Sequence, residues 1–155
     1  MRAGRNKGAG MSVSKLMTVA VILGLIGSAS WADERQYTEG DVVSIESIRT
    51  IYGHFDEYLK FLAGNWKQEM EAAKAAGYIV SYEVLAAEPR GPDDPDLYLV
   101  VHYKNWAALD GMHDKMEALA QKIYGSTDAA TQGAIERGKI RRTLGGQTMQ
   151  VLKLK

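Results

Sequence analysis

The feature that most constrains this chain is a long amphipathic helix pattern that leads directly into a strand pattern. Over residues 55–76, apolar side chains recur every three or four positions and charged side chains fill the opposite face, as in a helix with one buried face. Gly77 follows, and glycine readily adopts the left-handed backbone at which helices end. Residues 78–85 are rich in strand-forming side chains. The segment therefore predicts a helix followed at once by a strand.

Three further strands are predicted at residues 42–51, 97–103 and 148–154, which are rich in β-branched and other apolar residues. The polar residues 33–40 predict a loose lead-in to the first of them. Residues 88–96 contain all three prolines of the chain and predict a hairpin loop between the second and third strands. The sequence thus predicts four strands in all.

A second helix is predicted after the third strand. Asn105 has the side chain of a good N-cap. The apolar residues over 109–123 have helical spacing, and Gly125 is expected to end the helix.

A third helix is predicted before the last strand, capped by Ser126 or Thr127, running through Leu144 and ending at Gly145-Gly146. The order is then strand, helix, strand, strand, helix, extra helix, strand. Apart from the extra helix, this is the ferredoxin-like βαββαβ pattern, a four-stranded antiparallel sheet with helices on one face. The sequence therefore predicts a single α+β domain over residues 33–155.

Three segments carry a resemblance to a known family. They are the proline-rich hairpin, the run 98–103 followed by Asn105-Trp106-Ala107-Ala108-Leu109, and the final strand at 149–154. Together they resemble the dimeric α+β barrel superfamily, over residues 42–155. The resemblance implies a homodimer in which two sheets pack face to face. It also implies a pocket, either inside the barrel or between sheet and helices.

The superfamily includes cofactor-free monooxygenases, haem-degrading enzymes, haem peroxidase relatives and proteins without known activity. The resemblance therefore implies either no cofactor or haem. In the haem-degrading branch the second helix carries a Trp and a His, which Trp106 and His113 match in type but with a shorter separation. In the monooxygenase branch a His follows an Ala-Leu pair, an arrangement that Ala108-Leu109 and His113 approximate.

Composition excludes several classes of function. The chain has no cysteine, which rules out disulfides, thiolate catalysis and thiolate metal sites. Its formal net charge is zero, and the basic residues near the N-terminus leave the remaining chain mildly acidic. An acidic domain gives no electrostatic reason to expect a nucleic-acid partner. No metal site is predicted: His54-Phe55-Asp56 at a helix start could hold a metal, but capping and solvation explain both polar residues.

Residues 1–32 predict a signal peptide. Basic residues precede an apolar run at 16–26 that is too short to cross a bilayer as a helix, and small residues, Ser30 and Ala32, follow it. Cleavage after Ala32 would deliver the domain to the periplasm or the exterior of a bacterium, with no membrane attachment. The alternative is an uncut membrane anchor, and Met11 is an alternative start.

A candidate catalytic cluster follows from the alternation of side chains along strands. The more apolar set on each strand is expected to face the helices: Val43, Ile45, Val80, Tyr82, Val84, Leu97, Leu99 and Val101. The complementary polar set is expected to face into the barrel: Ser44, Glu46, Ser81, Glu83, Tyr98 and His102. A buried imidazole beside two carboxylates would form an acid–base site, so His102, Glu83 and Glu46 are the predicted catalytic residues.

Further residues are candidates for binding a ligand or a partner. The predicted ligand-binding residues are aromatic or basic side chains near the sheet or on the helices: Tyr98, Tyr103, Trp66, Trp106 and His113. The predicted dimer surface includes Val42, Ile48, Ile79 and Leu85. A charged run on the third helix, from Glu136 to Arg142, is interpreted either as a solvated face or as an anchor for a carboxylate-bearing ligand.

Three functions remain open from the sequence. The favoured one is an exported dimeric barrel that binds a small apolar or aromatic ligand. The others are a cofactor-free or haem-using oxidoreductase, and a structural or assembly module without chemistry. The sequence leaves open whether the protein is an enzyme.

Overall fold

The computed structural model describes residues 35–155. The predicted signal peptide lies outside the described residues and stays a prediction. In chain order the elements are β1 (Tyr37–Thr50), α1 (Phe55–Phe61), a π-helical turn (Leu62–Trp66), α2 (Lys67–Ala75), β2 (Ser81–Ala86), β3 (Leu97–Tyr103), a 3-10 turn (Trp106–Leu109), α3 (Met112–Tyr124), α4 (Thr127–Ile140) and β4 (Arg141–Leu154).

The four strands form one antiparallel sheet in the order β2-β3-β1-β4. This is the ferredoxin-like α+β fold that the sequence predicts, with α4 as the extra helix. As predicted, the third strand lies between the first and the second. The predicted hairpin between β2 and β3 is also confirmed.

Strand pairing assigns each sheet residue to one of two faces, because directly opposed residues share a face. The helix face carries Val42, Ser44, Glu46 and Ile48 of β1, Tyr82 and Val84 of β2, and Leu97, Leu99, Val101 and Tyr103 of β3. The open face carries Val43, Ile45 and Ser47 of β1, Ser81, Glu83 and Leu85 of β2, Tyr98, Val100 and His102 of β3, and Gln147 and Met149 of β4.

The core lies between the helix face and the helices. One cluster packs Ile48, Leu97 and Leu99 of the sheet against Tyr58 and Leu62. A second cluster packs Met70 and Ala73 of α2 with Ile79, against partly buried side chains of the sheet and α3. The helices therefore cover one face of the sheet in the described chain.

Three residues predicted to cover the dimer surface lie in this core instead. Val42, Ile48 and Ile79 are buried within the single chain. Val43 and Ile45, predicted to face the helices, lie on the open face. The prediction was wrong for β1 because apolar residues lie on both sides of this strand, and alternation alone does not fix which side faces the helices. Tyr82, Val84, Leu97, Leu99 and Val101 face the helices as predicted.

The long helix predicted over residues 55–76 is present, but a π-helical turn divides it. The backbone N–H of Lys67 reaches back to the carbonyl of Leu62, the wider hydrogen-bond step that defines a π-turn. Tyr58 rather than Phe55 fills the core at the start of the helix. Gly77 ends it with φ of +73°, as predicted.

The last helix and last strand meet earlier than predicted. α4 begins at its predicted cap, where Ser126 Oγ accepts from Ala129 N at 3.1 Å. It ends at Ile140, and β4 starts at Arg141. Gly145-Gly146 therefore lies inside the strand, where β1 and β4 change register between Ser47 and Ile48. Gly145 has φ of +116° there, a conformation that glycine adopts without strain.

β1 also begins earlier than predicted. Residues 37–39 pair with Leu152 to Leu154 of β4, so the expected lead-in is strand from Tyr37 onwards. Pairing with β3 starts only at Val42, so the outer parts of β1 and β4 form a two-stranded ribbon beyond the sheet. At its tip, Lys155 N donates to Gln36 O at 3.0 Å.

Candidate functional site

The open face brings together two of the three predicted catalytic residues. Ser81 lies opposite His102, and Glu83 lies opposite Val100, so the two side chains project from the same face of neighbouring strands. His102 Nε2 lies 3.2 Å from Glu83 Oε1. The His102 side chain is 25% exposed and that of Glu83 is 53% exposed in the single chain. The arrangement is a hydrogen-bonded imidazole–carboxylate pair.

Glu46, the third predicted catalytic residue, lies on the helix face, away from this pair. Thr143 Oγ1 donates to Glu46 Oε1 at 3.2 Å, and Arg141 Nη1 lies 3.9 Å from the same oxygen. Ser44 is also on the helix face. The prediction of two carboxylates around His102 was therefore wrong, for the same reason as the assignment of the β1 faces.

Beside Glu46, the side chain of Tyr58 is fully buried. Its hydroxyl oxygen and Arg141 Nε make no hydrogen bond with any described residue. Burial raises the pKa of Tyr58 to about 12, with Arg141 opposing the rise. The guanidinium of Arg141 lies over the Tyr58 ring, 5.4 Å from its centroid. No sequence pattern indicates this cluster, because its members come from α1, β1 and β4.

An open cleft of about 410 Å³ lies on the open face beside the glycine pair of β4. Its walls are Ile45, Ser47, Tyr98, Leu144, Gly145, Gly146, Gln147 and Met149. Tyr98, a predicted ligand-binding residue, lines this cleft, and its role in binding stays a prediction. His102 lies four residues further along β3, about 13 Å away at 3.3 Å per residue. The cleft and the His102–Glu83 pair therefore occupy different parts of one face.

Two other predicted ligand-binding residues pack on the helix side. Trp66, in the π-turn, meets Tyr82 edge to face, with ring centroids 5.2 Å apart. It also lines an apolar groove of about 370 Å³ with Leu59, Leu62 and Val84. Tyr103 packs against the second core cluster, and burial raises the pKa of its hydroxyl.

Trp106 and His113 have different surroundings. Trp106 Nε1 donates to Gln150 Oε1 at 3.2 Å and its ring is half exposed. His113 lines a cleft between α3 and α4, with Glu117, Gln121 and Thr127 among its neighbours. Asn105 caps the 3-10 turn, where its Oδ1 accepts from Ala108 N at 3.1 Å, rather than capping α3. Because α3 begins only at Met112, the three side chains do not belong to one helix.

Within residues 35–155, no group of three or more His, Asp or Glu side chains is placed to hold a metal ion. None of the helices described is both long enough and apolar enough to cross a bilayer.

Three solved structures are similar to this chain. A NIPSNAP family protein of unknown function from Agrobacterium tumefaciens has a TM-score of 0.48 at 10% identity, over 75% of this chain and 90% of its own. HapK from Hahella chejuensis has a TM-score of 0.43 at 12% identity, over 70% and 90% respectively. A dimeric ferredoxin-like protein from an uncultured marine organism has a TM-score of 0.43 at 12% identity, over 76% and 98%. At such identities the likeness concerns the fold alone.

No protein-family model matches the chain, and no curated protein matches it in sequence.

Proposed function

We propose that the protein is an exported homodimer whose two open faces pack together and enclose a chamber for a small apolar or aromatic molecule. The observation that carries this proposal is the uncovered sheet face. It combines apolar and polar side chains, it contains a cleft, and it carries the hydrogen-bonded pair of His102 and Glu83.

The occupant proposed for the open face is a second copy of the chain. Leu85 and Met149 are 45% and 42% exposed there, and an apolar sheet face left in water favours association. Four strands about 4.8 Å apart and about seven residues long give a flat footprint of roughly 19 by 24 Å. This footprint of about 460 Å² is over half of the roughly 800 Å² per partner that stable interfaces bury, and the protruding ribbon and side-chain relief add to it. A two-fold axis would pair the same face with itself.

The ligand class follows from the walls of the cleft. Ile45, Leu144 and Met149 supply apolar surface, while the hydroxyl groups of Ser47 and Tyr98 supply a small number of polar contacts. Ligand sites typically combine apolar walls with a few placed polar groups, in volumes of roughly 300–1,000 Å³. Dimerisation would close the cleft and place His102 and Glu83 in the wall of the same chamber. There the pair would bind a hydroxyl or carbonyl group of the ligand.

A second candidate function, a cofactor-free oxidoreductase, is favoured by the His102–Glu83 pair itself. An imidazole held by a carboxylate is the usual arrangement of a general base. It could accept the proton of a phenolic substrate and so promote the reaction of that substrate with dioxygen.

Neither His102 nor His113, the histidines among the candidate site residues, fits haem, the alternative cofactor. An iron ligand needs a ring nitrogen facing a large apolar slot. Nε2 of His102 faces Glu83. His113 lies in a cleft lined by small and polar side chains, without large apolar walls for a porphyrin. We therefore derive no step through haem.

The dimer is tested by sedimentation of the purified protein at micromolar concentration. Leu85→Asp places a charge on the open face and is expected to give a monomer. Ile135→Asp is the matched control, because Ile135 is an exposed apolar residue on α4, away from the open face. A wild-type monomer, or a dimer that survives Leu85→Asp and fails with Ile135→Asp, would refute the arrangement.

Ligand binding is tested with a neutral aromatic probe, N-phenyl-1-naphthylamine, followed by fluorescence. We expect His102→Ala to lower its affinity at least tenfold while the dimer remains, and His113→Ala to leave it unchanged. No binding by the wild type would leave the structural-module function as the better account. Dioxygen uptake with 1,4-dihydroxynaphthalene above the buffer rate, lost in His102→Ala, would favour the enzyme.

Export is tested by intact mass. Protein recovered from a bacterial periplasm is expected to lack residues 1–32. Full-length chain confined to the cytoplasm would refute this part of the proposal.

A further inference from the structure

A second cleft, of about 510 Å³, lies among the helices on the side of the domain away from the open face. Its walls come from α1, the π-turn and α4, with one residue of α3: His54, Glu57, Phe61, Asn65, Tyr124, Gly133, Glu136, Arg137, Lys139 and Ile140. We propose that this cleft binds a small organic carboxylate, with Arg137 as its counter-charge. The proposed function does not use this cleft.

Arg137 is the cation at the centre of the argument. Its guanidinium carbon lies over the Phe61 ring, 4.5 Å from the ring centroid, which is a cation–π contact. No carboxylate of residues 35–155 forms an ion pair with it. A guanidinium without a carboxylate partner offers paired N–H groups that match the two oxygens of a carboxylate ligand.

The acidic residues at the rim of the cleft are already engaged. Glu57 Oε2 lies 2.7 Å from His54 Nδ1. Glu136 accepts from Lys139 Nζ at 2.7 and 2.8 Å, and these bonds lower the pKa of its carboxyl group. Glu57 and Glu136 are thus each paired with another side chain of the rim. Arg137 remains as the cation available to a ligand.

Glu69 is the other carboxyl group near Arg137. Burial raises its pKa above the ordinary value, although the charge of Arg137 opposes the rise. The environment therefore disfavours the charged form of Glu69. Glu69 also forms no ion pair with Arg137, so direct contact with the guanidinium is left to a ligand carboxylate.

Tyr124 and Gly133 border the guanidinium of Arg137. Tyr124 lines the cleft beside Asn65 and Arg137, and burial raises the pKa of its hydroxyl group. A Cβ on Gly133 would lie 3.3 Å from Arg137 Nη1 and 3.7 Å from Tyr124 Cε1, so glycine leaves the space that the guanidinium occupies. Asn65 belongs to the π-turn, and such turns occur often at functional sites.

The shape of the cleft narrows the ligand class. Phe61, Ile140 and the ring of Tyr124 supply apolar walls beside the cation. A carboxylate attached to a flat apolar body, such as an aromatic acid, would meet both features. The volume lies in the usual range of small-molecule sites, about 300–1,000 Å³.

The test compares benzoate with benzamide, its neutral counterpart of the same shape, by NMR titration of the ¹⁵N-labelled protein. Benzoate is expected to shift the amide signals of Asn65 and Gly133 and the side-chain signal of Arg137. Benzamide is expected to bind at least tenfold more weakly. Equal affinity for the two probes would overturn the proposal, as would the absence of benzoate shifts at about 10 mM, ten times the dissociation constant of about 1 mM typical of a weak ligand.

Variants identify the cation. Arg137→Gln is expected to weaken benzoate at least tenfold, and Arg137→Lys by a smaller factor, because the charge stays but the paired N–H groups are lost. Gly133→Ala should weaken binding several-fold by displacing the guanidinium. Arg142→Gln, a surface arginine paired with Asp93, is the control and should bind as the wild type does. Unchanged binding by a folded Arg137→Gln would overturn the proposal.

The result is separable from that of the open-face chamber. His102→Ala and Leu85→Asp change the open face and are expected to leave benzoate binding unchanged. Loss of benzoate binding in either variant would place the anion in the chamber instead and overturn the assignment to Arg137.

Discussion

Replacing Tyr58 with phenylalanine is expected to stabilise the protein, although Tyr58 is the most deeply buried aromatic residue within 35–155. The side chain is 0% exposed and its hydroxyl has no described hydrogen-bond partner. Leaving a buried hydroxyl unpaired costs about 1–2 kcal/mol. Phenylalanine keeps the ring that stacks on Phe61, at 5.9 Å between centroids, and faces Arg141. We therefore expect Tyr58→Phe to raise the free energy of unfolding by about 1 kcal/mol at pH 7.

The effect should grow at alkaline pH. The pKa of Tyr58 rises from 10.0 to about 12 on folding, so the folded state holds the proton more tightly than the unfolded state. This contribution is fully present below pH 10 and is lost as the pH rises towards 12. At pH 11, ionisation of Tyr58 in the unfolded chain lowers wild-type stability by about 1.4 kcal/mol. Phenylalanine has no such loss, so the advantage of the variant should exceed about 2 kcal/mol there.

The measurement is urea unfolding followed by circular dichroism at pH 7 and pH 11. Tyr52→Phe is the matched control: Tyr52 is fully exposed, so its replacement should change stability little at either pH. The reasoning is refuted if Tyr58→Phe is less stable at pH 7, which would mean that the hydroxyl has a partner in solution. A difference between variant and wild type that does not change with pH would also refute it.

Two further changes test the fold itself. Asp96→Ala is expected to lower the free energy of unfolding by about 2–4 kcal/mol in urea, because the buried Asp96 carboxylate accepts from Thr50 N at 3.0 and 3.1 Å and from the Thr50 hydroxyl group. Replacing the exposed Asp93 with alanine, the control, should change it by less than about 0.5 kcal/mol. An equal effect at both sites would contradict this role of Asp96. Gly146→Ala is expected to lower the free energy of unfolding by about 1–3 kcal/mol, measured by thermal unfolding, since a Cβ there would lie 2.8 Å from the carbonyl oxygen of Ile45. An unchanged melting temperature would contradict this and show that β4 shifts to make room for the Cβ.

Sequence patterns predicted the elements better than the faces of the sheet. On β2 and β3, alternating apolar residues such as Tyr82, Leu99 and Val101 fixed the helix face correctly. On β1, apolar residues occupy both sides, and local pattern could not show that Val42 and Ile48 face the helices. That choice is made by packing against residues distant in the chain.

The same limit applies to the prediction of the candidate site. Glu83 was placed beside His102 because β2 and β3 have clear alternation, and Glu46 was misplaced because β1 has none. The Arg137 cleft depends on a π-turn and on three helices that meet in space. The charged run on α4 was visible in the sequence, but the pairing of Lys139 with Glu136, which leaves Arg137 available, was not.

The ribbon of β1 and β4 joins the two ends of the domain, and this has a consequence for the order of folding. β1 pairs with β3 and with β4, both of which follow it at long distance along the chain. Pairing strands that are far apart in the chain requires closing a long loop. This step is slow, because the loop loses entropy before the contacts between the strands form. Of the four described strands, β1 is therefore synthesised first, but both of its edges are paired only after β4 has joined the sheet. The sheet is complete only when the C-terminal residues have joined it.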